Sequence, residues 1–182
     1  THPTVCTANT SRTRRPAGVT ETHSPLFFSF SLGYAVLIIY ASLYPLTGWQ
    51  DSGISPFDFF FAGWPRYTTL FDLLINVAAY IPLGFFFATA LRPRVAPRHA
   101  WWLAVLAAAA LSFALEFTQN YLPSRVASNL DWAGNTCGAL LGAVPGALWH
   151  RQLIDNLRHT HWPDHGRSVE LGLVLLGLWL LT

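Results

Sequence analysis

Two acidic residues stand in neighbouring apolar segments, where a carboxylate is costly unless it has a partner or a task. Glu116 lies inside the apolar run 101–122, and Asp131 stands just before the next run, 132–149. A charge in a membrane costs about 2.5–3.5 kcal/mol, so such residues tend to mark a site. Paired carboxylates in different environments can divide acid and base roles. Glu116 and Asp131 are therefore the candidate catalytic residues, and no metal or cofactor is predicted beside them.

Other polar residues recur in these segments at spacings of three or four, which place side chains on one helix face. The predicted polar cluster comprises Asp72, Asn76, Ser112, Glu116, Gln119, Arg125, Asp131 and Asn135. Its role is open between ligand binding and structure. Arg125 is the only Arg or Lys between residues 99 and 150, so we predict that it pairs with Glu116, Asp131 or Asp72.

Several members of the cluster have a structural interpretation as well as a functional one. Asp72 and Asp131 stand where an acid can cap a helix N-terminus. Arg125 can bind a lipid phosphate or a carboxylate, or can serve the fold alone. Asn76 and Asn135 are typical of hydrogen bonds between membrane helices.

Four glycines recur every fourth residue on the face of the last long apolar segment that carries Asp131. They are Gly134, Gly138, Gly142 and Gly146. Small residues at this spacing let two helices approach closely in lipid. We therefore predict that this face packs against another helix of a bundle.

The composition favours lipid as the surrounding solvent. Hydrophobic residues make up 52% and charged residues 11%, whereas about a quarter of the residues in soluble domains are charged. The runs 26–47, 70–91, 101–122 and 132–149 suit membrane crossings of about 20 residues. The prediction is an all-α polytopic transmembrane helix bundle of four core helices plus the start of a fifth. The net charge of +2 and the lack of a basic, aromatic-lined face argue against nucleic acid.

The chain divides at its polar segments. We predict a disordered cytoplasmic tail over residues 1–25, the bundle over 26–150, a cytoplasmic loop over 151–168, and the start of a further helix over 169–182. His159, His161 and His165 with Asp164 have metal-ligand spacing, but that loop is read as solvated. Because the chain contains no Met and its last apolar run is short, we expect it to be a piece of a longer protein.

The arginines give the predicted orientation. Nine of the eleven lie in the tail and in the second and fourth connections, and the other two are Arg66 and Arg125. By the positive-inside bias the N-terminus is cytoplasmic and the turn between Glu116 and Asp131 faces outward. The aromatic-rich loop 48–69 is typical of a membrane interface.

Three motifs in this order resemble the VanZ-like membrane family. They are D-x-x-x-N-x-x-x-Y-I-P-L-G at 72–84, S-x-x-x-E-x-x-Q at 112–119 and D-x-x-x-N-T-x-G-x-x-x-G at 131–142, with Arg125 between the last two. The resemblance covers about residues 70–149. It implies an integral membrane protein of the cell envelope, located in the bacterial cytoplasmic (inner) membrane. The founding member of the family is associated with low-level resistance to teicoplanin, a lipid-tailed glycopeptide antibiotic.

Two functions fit these observations. The first is non-enzymatic binding or shielding of an amphiphile at the outer leaflet, with membrane lipids, a lipid-linked wall precursor or a lipid-tailed glycopeptide antibiotic as partner. The alternative is an intramembrane enzyme that acts on a lipid headgroup with Glu116 and Asp131 as acid and base. Because no nucleophile or metal ligands accompany the two acids, the first is preferred. No oligomeric state is indicated.

Overall fold

The computed structural model describes residues 24–51, 53, 55–63 and 69–159, which form helices and no strand. This confirms the predicted all-α fold. The helices are α1 Ser24–Leu43, α2 Asp58–Phe61, α3 Leu70–Leu91, α4 Pro97–Gln119, α5 Asn129–Leu148 and α6 His150–His159. The predictions for the tail, for Arg66, and for residues 160–182 with the fifth apolar run lie outside the described residues.

The helix bounds follow local signals at their ends. α3 has the predicted bounds, and its N-cap Thr69 forms a capping box with Asp72. α4 begins at Pro97, four residues before the predicted start, because proline suits the first turn of a helix. α5 begins after its N-cap Ser128. The predicted loop 151–168 is helical over residues 151–159, where α6 continues the chain.

The helix surfaces are consistent with lipid. Among the described residues, α3 and α4 are the helices long and apolar enough to cross a membrane, and Phe27–Leu43 of α1 is a shorter apolar helix. Large apolar side chains point away from the bundle on several helices. Examples are Leu32 and Val36 on α1, Leu70 and Phe71 on α3, and Leu106 on α4. Exposed apolar surface on this scale is unusual for a soluble monomer.

The packing of α3 against α5 forms the centre of the bundle. The α5 glycines are buried and lie against the α3 backbone, because a Cβ atom on Gly138 would meet the Val77 carbonyl oxygen and one on Gly142 that of Ile81. A Cβ on Gly134 would lie 2.8 Å from Leu73 Cδ1. The structure thus places the glycine face in the helix contact. The same backbone-to-backbone approach recurs from the α3 side, where Gly84 lies against Ala139.

One end of the bundle is closed by the loops between helices. There the C-termini of α1 and α4 meet the N-termini of α3 and α5, and we call this the α4–α5 end. Asn120 Nδ2 donates to the Pro56 carbonyl at 3.1 Å, and Asn129 Nδ2 donates to the Ala62 carbonyl at 2.7 Å. These bonds hold the loop that contains α2 across this end of the bundle.

Aromatic rings fix α2 in place. The Phe59 ring lies 5.4 Å from that of Phe113 on α4, and the Phe60 ring lies 5.4 Å from that of Trp132 on α5. Phe57 packs on Phe117 of α4 with ring centroids 5.1 Å apart. The loop therefore lies against the side of α4 and α5 as well as over their ends.

Candidate functional site

Glu116 ties α4 to the beginning of α5. Its side chain is only 4% exposed, and Oε2 accepts a hydrogen bond from the Ser128 backbone N–H at 2.8 Å. The Ser128 hydroxyl in turn accepts from the N–H groups of Leu130 and Asp131, at 3.2 and 3.3 Å. A carboxylate is well placed here because helix N-termini carry partial positive charge. The turn between the two helices is therefore organised around one buried acid.

A buried polar pair lies one turn deeper. Asn135 Nδ2 on α5 donates to Ser112 Oγ on α4 at 2.9 Å, and both side chains are buried. Tyr80 of α3 is buried beside this pair, and its hydroxyl lies close enough to Ser112 and Glu116 for electrostatic influence. Within the described residues neither the Tyr80 hydroxyl nor Asn135 Oδ1 makes a hydrogen bond of normal geometry. Three helices thus contribute polar groups to one buried position.

Asp131 and Asp72 lie nearer the surface of the α4–α5 end. Asp131 is half-buried, interacts with the Asn76 side chain, and lies close enough to Asp72 and Glu116 for their charges to act on one another. Asp72 is exposed, and its Oδ2 accepts from the Thr69 N–H at 3.0 Å and the Thr69 hydroxyl at 2.7 Å. The structure therefore gives Asp72 the role of a helix cap.

The predicted ion pair of Arg125 is wrong. Arg125 Nε donates to the Tyr44 carbonyl at 3.2 Å, and Nη2 donates to the carbonyls of Tyr44 and Ala41, each at 3.0 Å. The reason is that α1 ends at Leu43, and the last carbonyls of a helix have no partner within it. Gln119 serves the same segment, because its Nε2 donates to the Ser42 carbonyl at 3.1 Å. Arg125 therefore caps the C-terminus of α1 instead of binding an acid, and Gln119 caps the same helix.

This arrangement makes a testable prediction for a double-mutant cycle of Glu116→Ala and Arg125→Ala. Each variant removes hydrogen bonds to different helices, but both residues act on the turn 120–128, so the coupling between the two losses of unfolding free energy should not exceed about 1 kcal/mol. Arg125→Ala alone should cost about 1–3 kcal/mol, since carbonyls of α1 lose a charged donor. The measurement is thermal unfolding of the purified single and double variants. A coupling of several times that limit would mean that the two side chains form a pair after all.

An open cavity of about 360 Å³ lies beside this cluster. Its polar lining residues include Asp58, Asn120 and Arg125, and its apolar lining residues include Phe59, Leu122 and Val126. Glu116 and Asp131 are not among its lining residues. Of the predicted site residues only Arg125 reaches it, and Arg125 does so while bound to α1.

The sequence analysis did not identify the structural roles of Ser128 and Tyr80. Ser128 has a recognisable signal, because Ser-x-x-Asp before an apolar run is typical of a helix N-cap, and Thr69-x-x-Asp72 repeats it at α3. Tyr80 sits in an apolar run and within the family motif, but nothing in its local sequence shows that its hydroxyl reaches Ser112. Asp58 and Phe59 carry no signal, since their loop has no periodicity.

No group of three His, Cys, Asp or Glu side chains suited to a metal ion occurs in the described part of the chain. The candidate ligands His161, Asp164 and His165 lie outside that part, as does the side chain of His159. The site is thus built from carboxylates, amides, hydroxyls and one guanidinium. Such groups bind by hydrogen bonds and charge.

The fold and the site define a helical bundle with a glycine-mediated centre and a polar cluster at one end. The chain belongs to the VanZ/LLP1 family, whose sequence model matches residues 27–150. This confirms the resemblance read from the three motifs. No curated protein and no solved structure matches the chain.

Proposed function

We propose that this VanZ/LLP1 protein crosses the bacterial cytoplasmic (inner) membrane several times and binds or shields an amphiphile at the outer leaflet. The amphiphile is a membrane lipid, a lipid-linked wall precursor or a lipid-tailed glycopeptide antibiotic. Cell-envelope protection against a drug such as teicoplanin would follow from this binding. The N-terminus is cytoplasmic, as the arginine distribution predicts.

The observation that carries the proposal is the cavity at the α4–α5 end, whose lining is both polar and apolar. It offers a carboxylate, an amide and a guanidinium together with apolar side chains. Val126 at this cavity is 84% exposed, and Phe61 of the neighbouring α2 is 83% exposed. A molecule with a polar head and an apolar tail matches such a surface, because the tail buries side chains that otherwise face water or headgroups.

Aromatic residues support the proposal that this end lies at a membrane boundary. Phe57, Phe60 and Trp49 are exposed beside the cavity, and aromatic side chains are enriched where lipid meets water. At the opposite end Arg92 binds the Ala147 carbonyl at 2.8 Å, Arg94 follows in the connection, and Arg98 stands in the first turn of α4. The basic connection suits the cytoplasmic side.

Binding is preferred to catalysis because of where the acids lie. Glu116 is buried with an oxygen on the Ser128 N–H, and neither Glu116 nor Asp131 lines the cavity. An acid or base must come within hydrogen-bond reach of the group it protonates. Glu116 is therefore assigned to holding the turn that lines the cavity.

The test is a binding titration of the purified protein in detergent with a fluorescent phospholipid and with a fluorescent lipid-tailed glycopeptide. Val126→Ser should weaken binding of at least one probe about tenfold. The reason is that fully burying a valine side chain, here under the bound ligand, contributes about 1.5–3 kcal/mol. The matched control is Leu148→Ser, an exposed apolar residue at the opposite end, which should bind like wild type. Absence of binding to both probes, or equal binding by all three proteins, would refute the proposal.

A further inference from the structure

We infer that the cavity at the α4–α5 end takes a zwitterionic headgroup that combines a phosphate with a primary ammonium, as in phosphatidylethanolamine. The inference rests on the proposed function and names the ligand class. It follows from two opposite charges that line one cavity, Asp58 and Arg125. Within the described residues these two side chains form no ion pair with each other.

The guanidinium of Arg125 is fixed by its contacts with the end of α1. Nε and Nη2 donate to the carbonyls of Tyr44 and Ala41, which fixes the plane of the group. The Nη1 nitrogen carries two further N–H donors, and the structure shows no acceptor for them among the described residues. A phosphate oxygen suits such donors, because guanidinium groups bind phosphate with directed, charge-assisted hydrogen bonds.

The acidic side of the cavity suits a cation that donates hydrogen bonds. Asp58 stands in the first turn of α2 and is exposed to the cavity. Beside it the Asn120 amide nitrogen donates to the carbonyls of Pro56 and Glu116, at 3.1 and 3.0 Å, which leaves its carbonyl oxygen as an acceptor. A primary ammonium has three N–H donors and can satisfy both residues at once.

The apolar part of the lining fits the part of a lipid next to its headgroup. Leu122 is 1% exposed and Phe59 is 5% exposed, so both are fixed beneath the cavity and offer little surface of their own. Val126 is exposed at the rim and is the apolar side chain that a lipid would cover. The glycerol and the first methylene groups of a phospholipid would pack there, with the acyl chains continuing into the bilayer.

Charge balance sets the expected order of headgroups. An anionic headgroup without an ammonium would satisfy Arg125 but meet repulsion from Asp58. A quaternary ammonium would balance the charge but offers no N–H donor to Asp58 or Asn120. We therefore expect phosphatidylethanolamine to bind most tightly, phosphatidylcholine less tightly, and phosphatidylglycerol least tightly.

The experiment is a competition assay on the full chain in detergent, with a fluorescent phosphatidylethanolamine displaced by each unlabelled phospholipid and by free phosphoethanolamine. Wild type should prefer phosphatidylethanolamine to phosphatidylglycerol about tenfold, the size of effect expected for one partly desolvated charge contact. Asp58→Asn should bring that ratio close to one. The matched control Asp155→Asn, an exposed acid on α6 at the opposite end, should keep the wild-type ratio.

The outcomes separate this inference from the proposed function. If phospholipids bind and Val126→Ser weakens them, but the headgroup ratio is near one or is unchanged by Asp58→Asn, the zwitterion assignment alone is overturned. If the lipid-tailed glycopeptide binds but no phospholipid does, the zwitterion assignment is again overturned alone, and if neither binds, the proposed function fails with it. Free phosphoethanolamine should compete far more weakly than the lipid, and equal competition would overturn the assignment to a lipid.

Discussion

Replacing Gly142 by alanine is expected to destabilise the bundle by about 3 kcal/mol or more, at or beyond the upper end of ordinary overpacking. A Cβ atom at this position would meet the carbonyl oxygen of Ile81 on α3. That oxygen belongs to helix backbone, so it cannot rotate away as a flexible side chain would. The helices must separate, and the separation would also loosen the contacts of Gly138 and Gly146 on the same face.

The matched control is Gly33→Ala on α1, where an added Cβ meets nothing within 4 Å. Alanine is favoured over glycine inside a helix by about 1 kcal/mol, so this variant should unfold at the same temperature as wild type or slightly above it. The measurement is thermal unfolding in detergent, with size-exclusion chromatography to follow aggregation. If Gly142→Ala unfolds at the wild-type temperature, α3 and α5 do not meet along the glycine face.

The sequence predicts the long helices, because their apolar residues recur with a helical period over many positions. The 22 largely apolar residues of α3 and its capping signal were sufficient to predict its bounds. The predicted end of α1 was too late in the chain. The helix ends at Leu43, although apolar residues continue to Leu46. Short α2 could not be foreseen, since four residues have no period and its position depends on rings of α4 and α5.

The site shows the same division between local and distant causes. Ser112, Glu116 and Asn135 face the bundle as their helical spacing indicates, and all three are buried. The partners of Arg125 could not be predicted from the sequence. Its nearness in sequence to two acids suggested an ion pair instead. The deciding factor was the unsatisfied α1 carbonyls, which lie more than 80 residues earlier in the chain.

These contacts indicate how the cavity and the buried acid are connected. The turn 120–128 supplies Asn120, Leu122, Arg125 and Val126 to the cavity wall. The same turn is held at its far end by the bond between Glu116 and Ser128. Glu116 therefore positions the cavity without lining it, and its loss should disturb both the stability and the ligand site.

Glu116→Ala should lower the free energy of unfolding by about 1.5–3 kcal/mol, because the buried Ser128 N–H loses a charged acceptor and finds no water to replace it. Glu116→Gln is the matched control, since its amide oxygen can still accept that hydrogen bond. Glutamine also removes the repulsion between Glu116 and Asp131, so this variant should keep most of the stability. The measurement is thermal unfolding, followed by the phospholipid titration on the folded variants.

The comparison of these two variants decides what the acid is for. If glutamine restores stability and phospholipid binding together, the hydrogen bond to Ser128 is sufficient and Glu116 acts as a positioning residue. If glutamine restores stability but not binding, the negative charge acts on the ligand, as an acid or base in contact with a headgroup would. An alanine variant as stable as wild type would show that the turn is held by the loop contacts of Asn120 and Asn129 instead.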